Sequence, residues 1–368
     1  MKLGDIARER REPYKGDKTG IPIVGLEHLI SKELRFSEYD VNTDNTFTKF
    51  FHKGQILFGR RRAYLKKAAI AEFDGICSGD ITVIESIPGK VEPRLLPFII
   101  QNDKLFDFAI SRSAGGLSPR VKWEHLAEYK LDLPPIKEQR VLADKLWAAY
   151  DLKEAYKKMI AATDEMVKAQ FIEWFGNPFE DNPNKVPLSN LCTINPPKPK
   201  RLDDALHVSF IPMERIKEDG THLGFDNRSI YEVKKGFSYC AENDILFAKI
   251  TPCMENGKGA IMQGLTNKIG FGSTEFHVLR PIEGVTTSTW LFYLTKLDLF
   301  RKDAAQNMTG TSGQKRVPAS YLENFMISPP SMAAQKKFIR IVKHANQSKF
   351  KLQQAIDAID KIIKSLIN

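Results

Sequence analysis

Two stretches of the chain place apolar or small residues at steps of three and four, the second in strict alternation. The first runs through Leu142, Leu146, Ala149, Leu152, Tyr156, Met159, Thr163, Met166 and Gln170. The second runs through Phe338, Ile341, Ala345, Ser348, Leu352, Ala355, Ile359, Ile362 and Leu366. Such a narrow seam, repeating every seven residues, predicts coiled-coil helices rather than helices with a broad globular face. Each helix should be about 35 residues, or roughly 50 Å at 1.5 Å per residue. Each follows a Pro-Pro pair, "LDLPPIKEQ" at 131–139 and "MISPPSMAAQ" at 326–335, and proline suits a helix start because its missing N–H is not needed there. Gly176, Pro178 and Pro183 in "FGNPFEDNP" should end the first helix. Elsewhere short alternating runs between Gly and Asn turns predict strands, with helical patches such as "LLPFIIQNDKLFDFAI".

The strand-rich parts repeat. "IVGLEHL" (23–29) matches "FIPMERI" (210–216), and "KGQILFGR" (53–60) matches "ENDILFAK" (242–249). "CSGDITVI" (77–84) matches "GSTEFHVL" (272–279), and "SAGGLSPRV" (113–121) matches "MTGTSGQKRV" (308–317). The order is kept throughout, and the period is too long for a solenoid, so two copies of one α+β domain are expected. The division is then 1–136 for the first domain, 137–175 for the first helix, 176–330 for the second domain and 331–368 for the second helix. Two seams of matched character pair most simply with each other. Antiparallel pairing would set the two domains a fixed distance apart, related by a pseudo-twofold axis.

Composition narrows the partner. The 368 residues carry a formal net charge of +10, which favours an acidic partner such as nucleic acid. The excess is local: residues 331–368 hold eight Lys and Arg against two Asp. No apolar run is long enough to span a bilayer, the N-terminal text has no apolar core like that of a signal peptide, and a cytoplasmic protein is expected. Cys77, Cys192, Cys240 and Cys253 form no Cys-x-x-Cys pair and read as reduced, mostly buried thiols. The seven His suggest no triad or metal site.

With these residues in place the chain resembles the specificity subunits of Type I restriction–modification enzymes. "LPPIKEQRVLADKL", followed by a long helix ending in "FIEWFGNP", looks like their first conserved region, and "ISPPSMAAQKKFIRIVKHANQSK" like their second. Met332-Ala333-Ala334 stands where an acidic residue is common in that family. "ILFGRRRAYLKKAAIA", "ILFAKITPCMENGKGAI" and "GTSGQKRV" resemble loops of their target recognition domains. The resemblance implies two recognition domains, each reading half of a bipartite DNA site, held apart by the paired helices. It implies a non-catalytic subunit that docks two modification subunits, which carry S-adenosylmethionine and methylate adenine. Restriction subunits join in that family to make the nuclease.

The residues also nominate a DNA surface. Between Asp44 and Glu72 lie seven Lys and Arg and no acid. Arg60, Arg61 and Arg62 follow a strand and suit guanine edges, Lys66 and Lys67 suit phosphate, and Tyr64 can stack. The matching second-copy loop offers Lys249, Thr251, Glu255, Asn256 and Lys258, so the two copies should read different sequences. Ser118 and Arg120 in the first copy, and Ser312, Gln314, Lys315 and Arg316 in the second, suit phosphate more than bases.

Catalytic readings find weaker footing. "NPPK" (195–198) is similar to the Asn-Pro-Pro-aromatic motif of amino-methyltransferases but has Lys198 where the aromatic should stand. Asp219 with "EVK" (232–234) gives only a loose nuclease-like pattern, and no Gly-x4-Gly-Lys-Ser/Thr loop for ATP exists. A stand-alone methyltransferase or nuclease, and a coiled-coil interaction scaffold, are the alternatives. The first predicts catalysis by the purified chain; the second predicts no sequence-selective DNA binding.

Overall fold

The computed structural model describes residues 1–311 and 313–367. The chain divides into two units: Met1–Lys158 with Leu352–Asn368, and Met159–Lys351. Both are α+β.

In the first unit, Ile56–Gly59 pairs antiparallel with Ile81–Ser86 and with Ala68–Ile70, and Ala7–Glu9 extends the sheet. A second sheet joins Gly75–Cys77 to Lys49–Phe51 antiparallel and to Ile23–Val24 parallel. The strands are short and rich in Ile, Val and Phe, and both faces of the central ones are covered. One core packs Phe58, Phe98 and Phe106 between the first sheet and helices Leu96–Ile100 and Asp103–Ser111.

The second unit repeats this topology. Ile245–Ala248 lies between Phe276–Pro281 and Gly259–Ile261, with Cys192–Ile194 outside. Ile269–Gly272 pairs antiparallel with Ser238–Ala241 and parallel with His207–Ile211. Register repeats too: Ile56 faces Ile84 in one unit, and Ile245 faces Leu279 in the other. The copies differ at one edge. Glu12–Pro13 adds beside Lys49–Phe51, whereas Asp226–Ser229 adds beside His207–Ile211.

The two long helices are Ile136–Phe175 and Met332–Ile367. Each is fixed to its unit by the same device. The Gln139 side chain donates to the Pro134 carbonyl, and its oxygen accepts the Glu92 N–H at 2.9 Å. Likewise Gln335 donates to the Val285 and Pro330 carbonyls and accepts the Thr287 N–H at 2.8 Å. Both glutamines are buried. The prolines therefore matter as carbonyls aimed at a buried amide as well as helix starters. Pro134 corresponds to Pro330, and Ser331 takes the place of Pro135 and caps the Ala334 N–H.

Each unit contains a helix pair. In the second, Phe175 meets Phe338 at 5.5 Å between ring centroids, and Asp164 meets Lys349 at 2.5 Å. Eleven residues back on one helix match eleven forward on the other, so the pair is antiparallel. In the first unit Lys153 pairs with Asp360 at 2.7 Å, and Ile363 and Ile367 pack on the core that includes Leu146 and Tyr150.

The seam differs from expectation by one residue along much of its length. On the first helix the inward stripe is Gln139, Ala143, Leu146, Tyr150, Lys153, Lys157, Ile160, Asp164, Val167 and Phe171. Leu152, Met159 and Met166 are exposed, while Leu142 and Tyr156 are half-buried beside the stripe. On the second helix Phe338, Ala345 and Ile359 are buried, Ile341, Leu352 and Ala355 are half-buried beside the buried Val342 and Ile356, and Ile363 rather than Ile362 packs on the first unit's core. Ile362 and Leu366 are exposed. The reason is chemical. The middle contact positions of the first helix are charged: Lys153 pairs with Asp360, Lys157 with Glu33 and Glu154, and Asp164 with Lys349. Following apolar residues therefore leads to the neighbouring face.

Cys77, Cys192 and Cys240 are buried free thiols, and burial pushes the Cys77 and Cys192 thiols up to about 12, while Cys253 is half-buried. Among the described residues no helix is long and apolar enough to cross a membrane.

Candidate nucleic-acid interface

In both units the loop after the central strand lies against the loop that precedes the short helix near the end of the head. In the first unit Arg61 bridges to Arg120, and Ala114 also pairs with Arg120. In the second, Ile250 bridges to Arg316, and Thr309 pairs with Arg316. A buried-facing carboxylate holds each pair of loops. Arg120 donates to Asp80 at 2.6 and 3.3 Å, and Arg61 donates to the same carboxylate at 3.3 Å. Arg316 donates to Glu275 through Nε and a terminal nitrogen, at 2.9 and 2.8 Å. Forked arginine–carboxylate bonds of this type fix orientation as well as distance.

The electrostatics follow. Burial raises the Asp80 carboxyl, but the bonds and charges of Arg120 and Arg61 outweigh it and hold it below the ordinary value. The bond from Arg316 holds Glu275 low against a smaller opposing effect of burial. Both acids are ionised at neutral pH. Asp80 and Glu275 carry no sequence signal as site residues, though both sit just before the repeated strand that begins at Ile81 or Phe276.

The basic cluster is more committed to the fold than its density suggests. Lys66 pairs with Asp103 at 2.6 Å, Lys67 donates to the Leu26 carbonyl at 2.7 Å, and Lys49 donates to the Ile81 carbonyl. Burial lowers the Lys49 ammonium, and nearby Arg60 and Arg11 add to that effect. Arg61 also donates to Ser118 at 3.1 Å, whereas Arg62 reaches the same hydroxyl only at 3.5 Å. Arg62 and Tyr64 are exposed, Arg60 is half-buried, and Arg60 Nε lacks a partner among the described residues. Arg60, Arg62 and Tyr64 thus remain as the available groups, and Arg61, Lys66, Lys67 and Arg120 build the surface that carries them.

In the second unit Thr251 donates to Glu255 at 2.5 Å, which fixes that carboxylate along the loop. Asn256, Gln314 and Lys315 are exposed, and Lys249 and Lys258 half-buried. Ser312 lies outside the described residues. Gly257 has φ +86°, and a Cβ there would overlap the Arg301 guanidinium, which donates to the Gly257 carbonyl at 3.1 Å. Lys296 donates to the same carbonyl at 3.5 Å. Arg301 and Lys296 are two further residues without a sequence signal, since their partner is backbone.

The side chains of the catalytic look-alikes are occupied structurally. Asn195 accepts the Val278 N–H at 3.0 Å and lies 3.0 Å from His277, which in turn meets the Val317 carbonyl at 2.8 Å. Glu232 caps Ser229, Lys234 pairs with Asp204, and Asp219 accepts from Thr221. Glu27, His28 and Asp40 lie close together, but His28 Nδ1 accepts the Gly25 N–H. In the neutral ring the other nitrogen then carries the proton and faces Asp40 as a donor rather than a ligand.

The same pair of loops, each held by an arginine–carboxylate anchor, thus occurs in both copies, with a long helix leading from each. The chain belongs to the Type I restriction modification DNA specificity domain family, whose model matches residues 1–161 and 181–359. It is 38% identical over 186 residues to the specificity subunit of the EcoAI Type I restriction enzyme of Escherichia coli, a match covering 49% of this chain and 31% of that one. It is 36% identical over 188 residues to the EcoEI specificity subunit of the same species, covering 50% and 31%. These matches span about half of this chain and under a third of each relative. In fold it is similar to a Type I restriction–modification S subunit from M. genitalium, with TM-score 0.54, 11% identity, and coverage of 100% of this chain and 94% of that one. It is likewise similar to a chain from a structure on complex assembly and conformational transition of the type I R-M system, with TM-score 0.56, 18% identity, and coverage of 100% and 95%.

Proposed function

We propose that this chain is the DNA specificity subunit of a Type I restriction–modification complex. It is itself non-catalytic and works in the cytoplasm. The heads, 1–136 and 176–330, each read one half of a bipartite duplex site. The helices, 137–175 and 331–368, form the spacer and dock two methyltransferase subunits that bring S-adenosylmethionine; restriction subunits complete the nuclease. The observation that carries this reading is the family match over both halves of a chain whose two units share one topology.

Chemistry supports each part. Arg60, Arg62 and Tyr64 in one head, and Glu255, Asn256, Gln314 and Lys315 in the other, are different reading groups on equivalent loops. Arg forks suit guanine, while Asn and Glu suit adenine and cytosine edges, so the half-sites should differ. Leu152, Met159 and Met166, interleaved with Ala148, Ala155, Ala162 and Ala169, leave an apolar face of the first helix uncovered. Such a face supports docking of another subunit.

The test is adenine methylation mapped across a genome after co-expression with the cognate modification subunits. A two-part motif with a constant gap is expected. Methylation without a motif, or with a single undivided one, would overturn the reading.

A further inference from the structure

Leu117 is 98% exposed, more than any other large hydrophobic residue described in the chain. We propose that Leu117 is a base-contacting residue: an apolar side chain held out at the tip of a stiffened loop, to be covered by a base of the first half-site when duplex binds. The inference rests on the DNA-reading function above and adds a specific contact to it.

The loop is fixed on both sides of the tip. Ala114 and Arg120 exchange backbone bonds of 2.9 Å across its base. The Pro119 carbonyl accepts the Arg62 N–H at 2.8 Å, and Ser118 accepts from Arg61. Asp80 then anchors Arg120. Gly115 has φ +117°, a conformation that turns the chain without a side chain, and Gly116 has open space around it. At this exposure no described residue covers the leucine, and the loop bonds to Arg61, Arg62 and Arg120, of which Asp80 pairs the first and the last.

Those neighbours select the occupant. Arg61 and Arg120 share the single negative charge of Asp80, and the exposed Arg62 adds a further positive charge, an excess that suits an anionic partner; yet a phosphate gains nothing from leucine. A duplex presents both chemistries within a few ångströms: phosphates outside, and apolar base faces and thymine methyls inside. Apolar wedges such as leucine enter base steps in this way in other DNA-binding proteins. The second head lacks the feature. Counted back from Arg120 and Arg316, Gly313 stands at the corresponding place, and residues 310–315 include no large apolar residue, so the contact would belong to one half-site only.

The experiment uses the full chain assembled with its modification subunits. A randomised duplex library is selected on wild type, and the enriched duplex is titrated against wild type, Leu117→Ser and Leu117→Met. Leu117→Ser should lose about 10- to 100-fold in affinity, the scale of withdrawing one leucine from burial. Its salt slope and its affinity for unselected duplex should not change, and Leu117→Met should keep most of the binding. Equal affinity of Leu117→Ser and wild type for the selected duplex overturns the contact while leaving the DNA-reading function intact. Loss of subunit assembly in Leu117→Ser points to a protein partner and also overturns it. If wild type enriches no duplex, both proposals fall.

Discussion

Asp80 shows how a residue outside any motif can govern several inside one. It pairs with both Arg61 and Arg120, two groups that the sequence nominates for DNA. Asp80→Asn should free both, so affinity for unselected duplex should rise and its salt dependence steepen by up to about two phosphate equivalents. Selectivity should fall, because the loops lose their common anchor; competition titrations at two ionic strengths would show both effects. The stability cost should be about 1 kcal/mol or less, since Arg120 is exposed and solvent screens the pair. The sign with pH is fixed by the lowered folded-state value of the carboxyl. The contribution is complete above the unfolded value of about 3.9 and is lost as pH falls through the folded one. Urea midpoints of wild type and variant should therefore differ at pH 7 and converge in acid. The sequence showed the arginines, because charge density is a local signal. It did not show Asp80, whose role exists only once the strand Ile81–Ser86 brings it beside two distant loops.

At the scale of elements, both long helices were legible but their contact face was legible only in part. Period and length come from local spacing, and the Pro-Pro starts agree with them. The face is settled by partners, and Lys153, Lys157 and Asp164 find theirs across space. The two faces can be separated by mutation. Phe338 is fully buried against Phe171, Phe175 and Tyr293, so Phe338→Ala should cost about 3–5 kcal/mol. Met159→Ala and Met166→Ala, both at exposed positions, should change stability by no more than about 0.5 kcal/mol. Those two should instead weaken co-purification with modification subunits if that face docks them. Gln335→Ala would strand the half-buried Thr287 N–H and cost about 1–3 kcal/mol, and Gln139→Ala should do the same at Glu92. Denaturant titration of each variant checks these values. A neutral Gln335→Ala would mean that the repeated proline–glutamine lock is ornament rather than anchor.

For the molecule as a whole, the proposed division of labour makes the helices a ruler, and a ruler can be lengthened. The Ile136–Phe175 helix has 40 residues and the Met332–Ile367 helix 36. Because the contact stripe repeats every seven residues, inserting one heptad returns each side chain to its own face. Seven residues add about 10.5 Å, or about three base pairs of duplex. Insertion in both helices, at facing positions, should widen the gap between half-sites by that amount while leaving the half-sites unchanged. Insertion in one helix alone should fail, since charged stripe residues such as Lys153 and Asp164 would lose Asp360 and Lys349. The single insertion shifts one helix by seven residues against its partner, so the charge pairs and the apolar contacts beyond it are lost together, and it should be the less stable protein. Methylation mapping after co-expression reads both halves and the gap together. A doubled insertion that folds, methylates and keeps the original gap would show that something other than the helices sets the distance, and the heads would then have to be joined by contacts of another kind.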